Sequence, residues 1–243
     1  MFRSASAAAW LQRDNVAELF DGYDKSYSAV VQASIDFSGL PHDFFMAAKA
    51  QILRDLLAAR LSRKQAVDAL DIGCGVGTLH PLVRGMFRRF CGVDVSAASL
   101  AQARQKNFDV EYQVYNGALL PYGDDSFDLA TAICVMHHVS PGGWLDFLRE
   151  ARRVVRPGGL VCIIEHNPFN PLTRLAVARC EFDDDAVLLR ASQTQRLLID
   201  AGLHGIDTRY FLLLPWATPI TRRVEHGLRR VPFGAQYATH GFA

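Results

Sequence analysis

The chain has 243 residues, half of them hydrophobic, and a formal net charge of +1. That length suits one α/β domain with some decoration and supplies a full core, while the near-neutral balance speaks against a nucleic-acid footprint. The Ala-rich start is stopped by Gln12-Arg13-Asp14, too early for a secretory h-region or a membrane span.

Five cysteines (Cys74, Cys91, Cys134, Cys162, Cys180) form no C-x-x-C pair. They read as small buried hydrophobes in a reducing compartment, so a cytoplasmic protein is expected. Arg222, Arg223, Arg229 and Arg230 gather near the end. A solvated helix face explains them more simply than an acidic partner does.

The first ~65 residues read as helical. Phe44, Ala48, Ile52 and Leu56 recur every four positions, with Phe45, Leu53 and Leu57 beside them, a stripe that faces a core. Ala66 to Leu70 is a short apolar strand, followed by Asp71-Ile72-Gly73-Cys74-Gly75-Val76-Gly77-Thr78 and a helix-like pattern at Leu79, Leu82, Val83 and Met86. Strand, glycine-rich turn and helix in that order let backbone N–H groups approach a ligand closely. Phe90 to Asp94 is a second strand ending in an acid, where such folds hold a ribose.

Leu100 to Lys106 lies in a helix, Val110 to Tyr115 is strand three, and Asp128 to Cys134 is strand four. Trp144, Phe147, Leu148, Ala151 and Val155 mark a one-faced helix that Arg156-Pro157-Gly158-Gly159 ends. Leu160 to Ile164 is strand five, a continuous apolar run expected in a sheet covered on both faces. Residues 167–190 break the alternation with Pro168, Pro171 and the run Asp183-Asp184-Asp185, and read as an insertion over the strand ends. Ser192 to Gln195 looks like a capping box and Gly202 like a helix stop. Ile206 to Leu214 and Ala235 to Phe242 suit a closing antiparallel pair. The expected organisation is a single domain: a helical lid (1–65), a core (66–205) carrying the insertion, and the closing pair (206–243). Alternation of strand and helix implies a mostly parallel sheet with helices on both faces.

The glycine spacing narrows the ligand. Dinucleotide enzymes use G-x-G-x-x-G to accommodate a pyrophosphate; here the glycines fall G-x-G-x-G, with no Lys or Arg in the turn and no Gly-Lys-Ser/Thr. The stretches LDIGCGVGT, GVDVS, LLPYGDDSFDLA, MHHV and RPGG, in this order, resemble the class I S-adenosylmethionine (SAM)-dependent methyltransferase superfamily. The likeness runs roughly from Val67 to Gly202 and is closest to a small-molecule branch similar to ubiquinone-biosynthesis C-methyltransferases. It implies a Rossmann-like seven-stranded fold, SAM as cofactor and a small-molecule methyl acceptor, methylated on O or N more readily than on C. An NAD-dependent oxidoreductase and a non-catalytic SAM-binding scaffold are the alternatives.

By that resemblance Gly73, Cys74, Gly75 and Gly77 line the methionyl arm, Asp71 orients the loop and the amino group, Asp94 accepts from both ribose hydroxyls, and Val95 packs on adenine. Asn116, with Gly117 and Ala118, stands where relatives carry an acid for the adenine amine; a turn-forming asparagine is the open alternative. Cys134 is expected to meet SAM through its backbone or to be a buried structural cysteine. Tyr23 and Tyr27 stand where relatives close tyrosines over SAM. Candidate bases are His138, His166 and Glu165, with His137 behind them, because ligands of open α/β sheets sit where strands four and five end; packing roles for the histidines stay open. Phe44, Phe45 and Phe169 are candidates for acceptor contact or plain core. His137, His138, Glu165, His166 and the acids at 183–185 are residue types that can hold a metal, but the histidines are adjacent rather than spaced i, i+4 and the acids lie in an insertion that the sequence does not place, so no metal is expected.

Overall fold

Strands expected from apolar runs and helices expected between them assemble into one seven-stranded sheet in the computed structural model, which describes residues 27–61, 66–214 and 219–243. The strands are β1 (Asp68–Ile72), β2 (Arg89–Asp94), β3 (Glu111–Val114), β4 (Phe127–Ile133), β5 (Val155–His166), β6 (His204–Phe211) and β7 (Gln236–Phe242). Their order is β3-β2-β1-β4-β5-β7-β6. The first five run parallel, and β7 is antiparallel to both β5 and β6. The Rossmann-like α/β architecture and the closing antiparallel pair are therefore as expected.

Helices α1 (Tyr27–Ile35), α2 (His42–Arg60), α3 (His80–Val83), α4 (Ala97–Lys106), α5 (Trp144–Arg153), α6 (Pro171–Val177), α7 (Ala191–Asp200) and α8 (Pro219–Leu228) surround it. Among the described residues no helix is long and apolar enough to cross a membrane. Because strand side chains alternate, the sheet feeds two cores. Ala69, Leu129, Leu160, Cys162 and Ile164 pack on one face with Ile52, Leu53 and Leu56 of α2. Leu70, Ile72, Ala130, Val161 and Ile163 pack on the other with Trp144, Leu148 and Leu198. The sheet order reverses between β1 and β4, so a crevice opens beyond their carboxyl ends.

Three local expectations are corrected. The helix after the glycine turn is only His80–Val83, continued by a 3-10 turn at Arg84–Met86; Pro81 sits in its first turn and Gly85 interrupts it. Arg156-Pro157-Gly158-Gly159 does not end α5 but forms the irregular start of β5, where the β4–β5 register shifts. Helix α7 begins at Ala191, so Ser192 is inside its first turn. The side chain that completes the cap is Gln193, whose Oε1 accepts the Arg190 N–H at 2.9 Å. Within the insertion, α6 is opened by Asn170, whose Oδ1 accepts the Thr173 N–H at 3.0 Å.

Candidate active site

The glycine turn leaves β1 with Gly73 at φ 72°, Gly75 at 52° and Gly77 at 67°, the left-handed region that side chains resist. Two of these glycines serve packing as well. A Cβ on Gly73 would lie 2.6 Å from Val135 Cγ2, and one on Gly77 would lie 2.8 Å from the Tyr112 hydroxyl. Gly75 faces open space instead, and it lines the large cavity at the crevice. A ligand can approach its backbone without obstruction.

Asp94 holds the turn against β2. Its Oδ2 accepts the Gly75 N–H at 2.7 Å and its Oδ1 accepts the Ser96 N–H at 2.9 Å. Burial pushes its carboxyl up from the ordinary value, against the pull of those backbone donors. Asp71 accepts from the Thr131 hydroxyl at 2.8 Å and faces His80 Nε2 at 3.0 Å, while His80 Nδ1 meets the Tyr112 hydroxyl at 2.6 Å. His80 is fully buried and was missed from sequence, where it reads as one polar residue in an apolar helix start. Both acids, together with Gly73, Cys74, Val95 and Gly117, line the cavity; Gly77 does not.

Asn116 and Ala118 are corrected: neither lines the cavity. Asn116 Oδ1 accepts the Ala118 and Leu119 N–H groups at 3.0 and 2.9 Å, so it closes a turn, and the Ala118 N–H is already committed. Tyr23 lies outside the described residues, as does the Tyr27 side chain.

The cavity measures about 600 Å³, within the range of small-molecule sites. Phe44, Phe45, Leu172 and Val177 supply apolar wall. Phe169 does not: it is exposed outside, with the Arg190 guanidinium 5.6 Å from its ring centroid. Cys134, at φ 57°, ends β4 on the cavity floor. Its Sγ accepts from Lys49 Nζ at 3.4 Å and from Gln236 Nε2 at 3.6 Å. Gln236 Nε2 also lies 3.4 Å from His166 Nδ1, and Gln236 Oε1 has no protein partner. Burial pushes the Cys134 thiol up, but the Lys49 ammonium and His166 outweigh it and bring it down to about 7. Lys49 is itself buried, and among the described residues no carboxylate pairs with it. Its signal was available: a lysine inside the apolar stripe of α2, four residues from Phe45 and from Leu53.

Beside this floor sits a second polar group. Glu165 is 1% exposed and does not line the cavity. Its Oε1 accepts the Val135 and Met136 N–H groups at 3.0 and 2.8 Å, and its Oε2 lies 2.6 Å from His137 Nδ1. The expectation of Glu165 as a base is therefore corrected: it anchors the turn after β4. Burial would raise its carboxyl, but His137 holds it far below the usual range. Burial would likewise lower His137, yet Glu165 and Asp183 raise it well above its ordinary value. His138 is pushed down to about 3 by burial and by His137. Asp183 Oδ1 lies 3.5 Å from both His137 Nε2 and His138 Nε2. Asp183 comes from the insertion, and sequence spacing had no means of placing it there.

A cofactor fit follows from these contacts. The open face of Gly75 suits close backbone approach, and the Asp94 carboxylate beside it can still accept from a ligand, since each oxygen has a second lone pair. Residues 70–163 match the methyltransferase domain family model. The chain is 26% identical to a probable SAM-dependent methyltransferase of Mycolicibacterium smegmatis, across 71% of this chain and 70% of the relative. It is 35% identical to the 27-O-demethylrifamycin SV methyltransferase of Amycolatopsis mediterranei, but only across 46% of this chain and 43% of that one. A solved Thermotoga maritima SAM-dependent methyltransferase, described as a possible histamine N-methyltransferase, shares the fold with TM-score 0.69 at 18% identity, covering 93% of this chain and 99% of that one. The glycine turn, the acid of β2 and these likenesses agree: residues 70–163 carry a methyltransferase domain, and the chain is similar in sequence and in fold to SAM-dependent methyltransferases, whose cofactor the turn fits.

Proposed function

We propose that the protein transfers a methyl group from SAM to a small apolar acceptor, on oxygen or nitrogen, inside the 600 Å³ cavity. One observation carries this reading: Gly75 and Asp94 line the same cavity as His166, His138, Phe44 and Phe45. Cofactor and acceptor would share one enclosure. When bound, SAM supplies a methyl group already activated by its sulfonium.

What remains for the chain is alignment and removal of a proton. Good alignment is worth about 7–11 kcal/mol, against roughly 3–5 kcal/mol for a general base, so geometry and water exclusion dominate. Asp94 and the turn fix the nucleoside; Phe44, Phe45 and the insertion exclude water. His166 is the proposed base, since it lines the cavity at the carboxyl end of β5.

The test is transfer of labelled methyl from SAM into small-molecule extracts, with Asp94→Asn as control. An amide at this position must turn an N–H donor toward the Gly75 or the Ser96 N–H, which breaks the loop's anchor. Label should enter an extractable metabolite with the native protein and fall at least tenfold in the variant. Label in no metabolite, or equal label with both proteins, contradicts the reading.

A further inference from the structure

We propose that His137, His138 and Asp183 form a binding site for one divalent transition cation, of the zinc type, on the acceptor wall of the cavity. Three donor atoms converge there from two separate elements: His137 and His138 from the 3-10 turn after β4, and Asp183 from the insertion. Asp183 Oδ1 is 3.5 Å from each of the two Nε2 atoms. That separation is long for a hydrogen bond. It is close to the edge of a tetrahedron whose arms are about 2.0–2.2 Å, which is about 3.3–3.6 Å.

Support for the donors is already built. His137 turns its other ring nitrogen, Nδ1, to the Glu165 carboxylate at 2.6 Å, the orientation that ligating histidines adopt toward a carboxylate behind them. Glu165 is in turn fixed by the Val135 and Met136 N–H groups. The insertion is tied to the same turn, because the Val187 N–H donates to His137 O at 2.9 Å. Two imidazoles and one carboxylate favour a borderline cation over magnesium or calcium, which take mainly oxygen. All three donors line the cavity, so the remaining coordination position opens onto it. An oxygen-bearing acceptor group is the ligand class that fits there. This use of the site rests on the methyl-transfer reading, whereas cation binding stands on the geometry alone.

The experiment is titration of tag-free, chelator-treated protein with Co2+, followed by visible absorption and calorimetry, with Zn2+ as competitor. The expected result is one Co2+ per chain, ligand-field bands displaced by Zn2+, and at least tenfold weaker binding in Asp183→Asn and in His138→Gln. Glu165→Gln should keep the stoichiometry and weaken binding about 10–100-fold. S-adenosylhomocysteine binding, measured on the same samples, reports whether each variant keeps its cofactor half. No Co2+ uptake, or equal uptake by native protein and a variant that still binds S-adenosylhomocysteine, overturns the site. Failure of S-adenosylhomocysteine to bind the native protein would instead overturn the methyl-transfer reading, leaving the Co2+ result to stand alone.

Discussion

Lys49 and Cys134 set the chemistry of the cavity floor. An ammonium with no carboxylate partner among the described residues lies against a sulfur, and the thiol comes down to about 7. The Cys134 thiolate is then half formed near neutral pH. Its alkylation by iodoacetamide should titrate with a midpoint near pH 7. Lys49→Met removes the charge that offsets burial, so the midpoint should rise to about 8.5 or above, and the rate at pH 7 should fall about tenfold or more. An unchanged midpoint in the variant would show that Lys49 does not hold the thiolate. The lysine was legible as a charge in an apolar stripe; its partner was not, because the two are 85 residues apart in the chain.

At the scale of elements, the two ends of the sheet do different work. At the amino ends of β1 and β4, Asp68 accepts from Arg88 Nε at 2.9 Å and from Arg156 at 3.2 Å, and its own N–H donates to Asp128 at 2.9 Å. The arginine of the RPGG stretch thus ties strands together, far from the reacting groups. Strand β7 carries a cost of its own. His240 is buried, its Nε2 has no partner, and burial followed by Arg60 pushes it down to about 4. Below the ordinary value near 6.5 the unfolded chain binds the proton and the folded one does not, so stability drops as pH falls from about 6.5 toward 4, by at most about 1.4 kcal/mol per pH unit. Urea unfolding at pH 7 and at pH 5 checks this. Native protein should lose about 1–2 kcal/mol more than His240→Gln across that interval; parallel losses would refute the assignment.

The whole molecule makes its cavity by bringing α1, α2 and the insertion over the point where sheet order reverses. Cofactor binding there is linked to global stability, because the site exists only in the folded chain. S-adenosylhomocysteine at 100 times its Kd should stabilise the protein by about 2.7 kcal/mol, raising Tm by roughly 5–10 °C for a chain of this size. NAD at equal concentration should leave Tm unchanged. Calorimetric scans with each ligand decide the matter, and a shift with NAD but none with S-adenosylhomocysteine would reverse the cofactor assignment.

The amino-acid sequence by itself determined the alternation of strand and helix, the G-x-G-x-G turn and the acid at the end of β2. These are local signals: apolar periodicity, backbone angles that only glycine takes easily, and a carboxylate set a fixed distance along the chain. Tertiary structure alone decided which side chains meet. Glu165 became an anchor rather than a base because strand register sets it beneath the turn after β4. Asp183 reached two histidines because the insertion folds back onto that turn. Contacts between distant segments depend on sheet order and on how an irregular segment packs, and neither leaves a periodic trace in the chain.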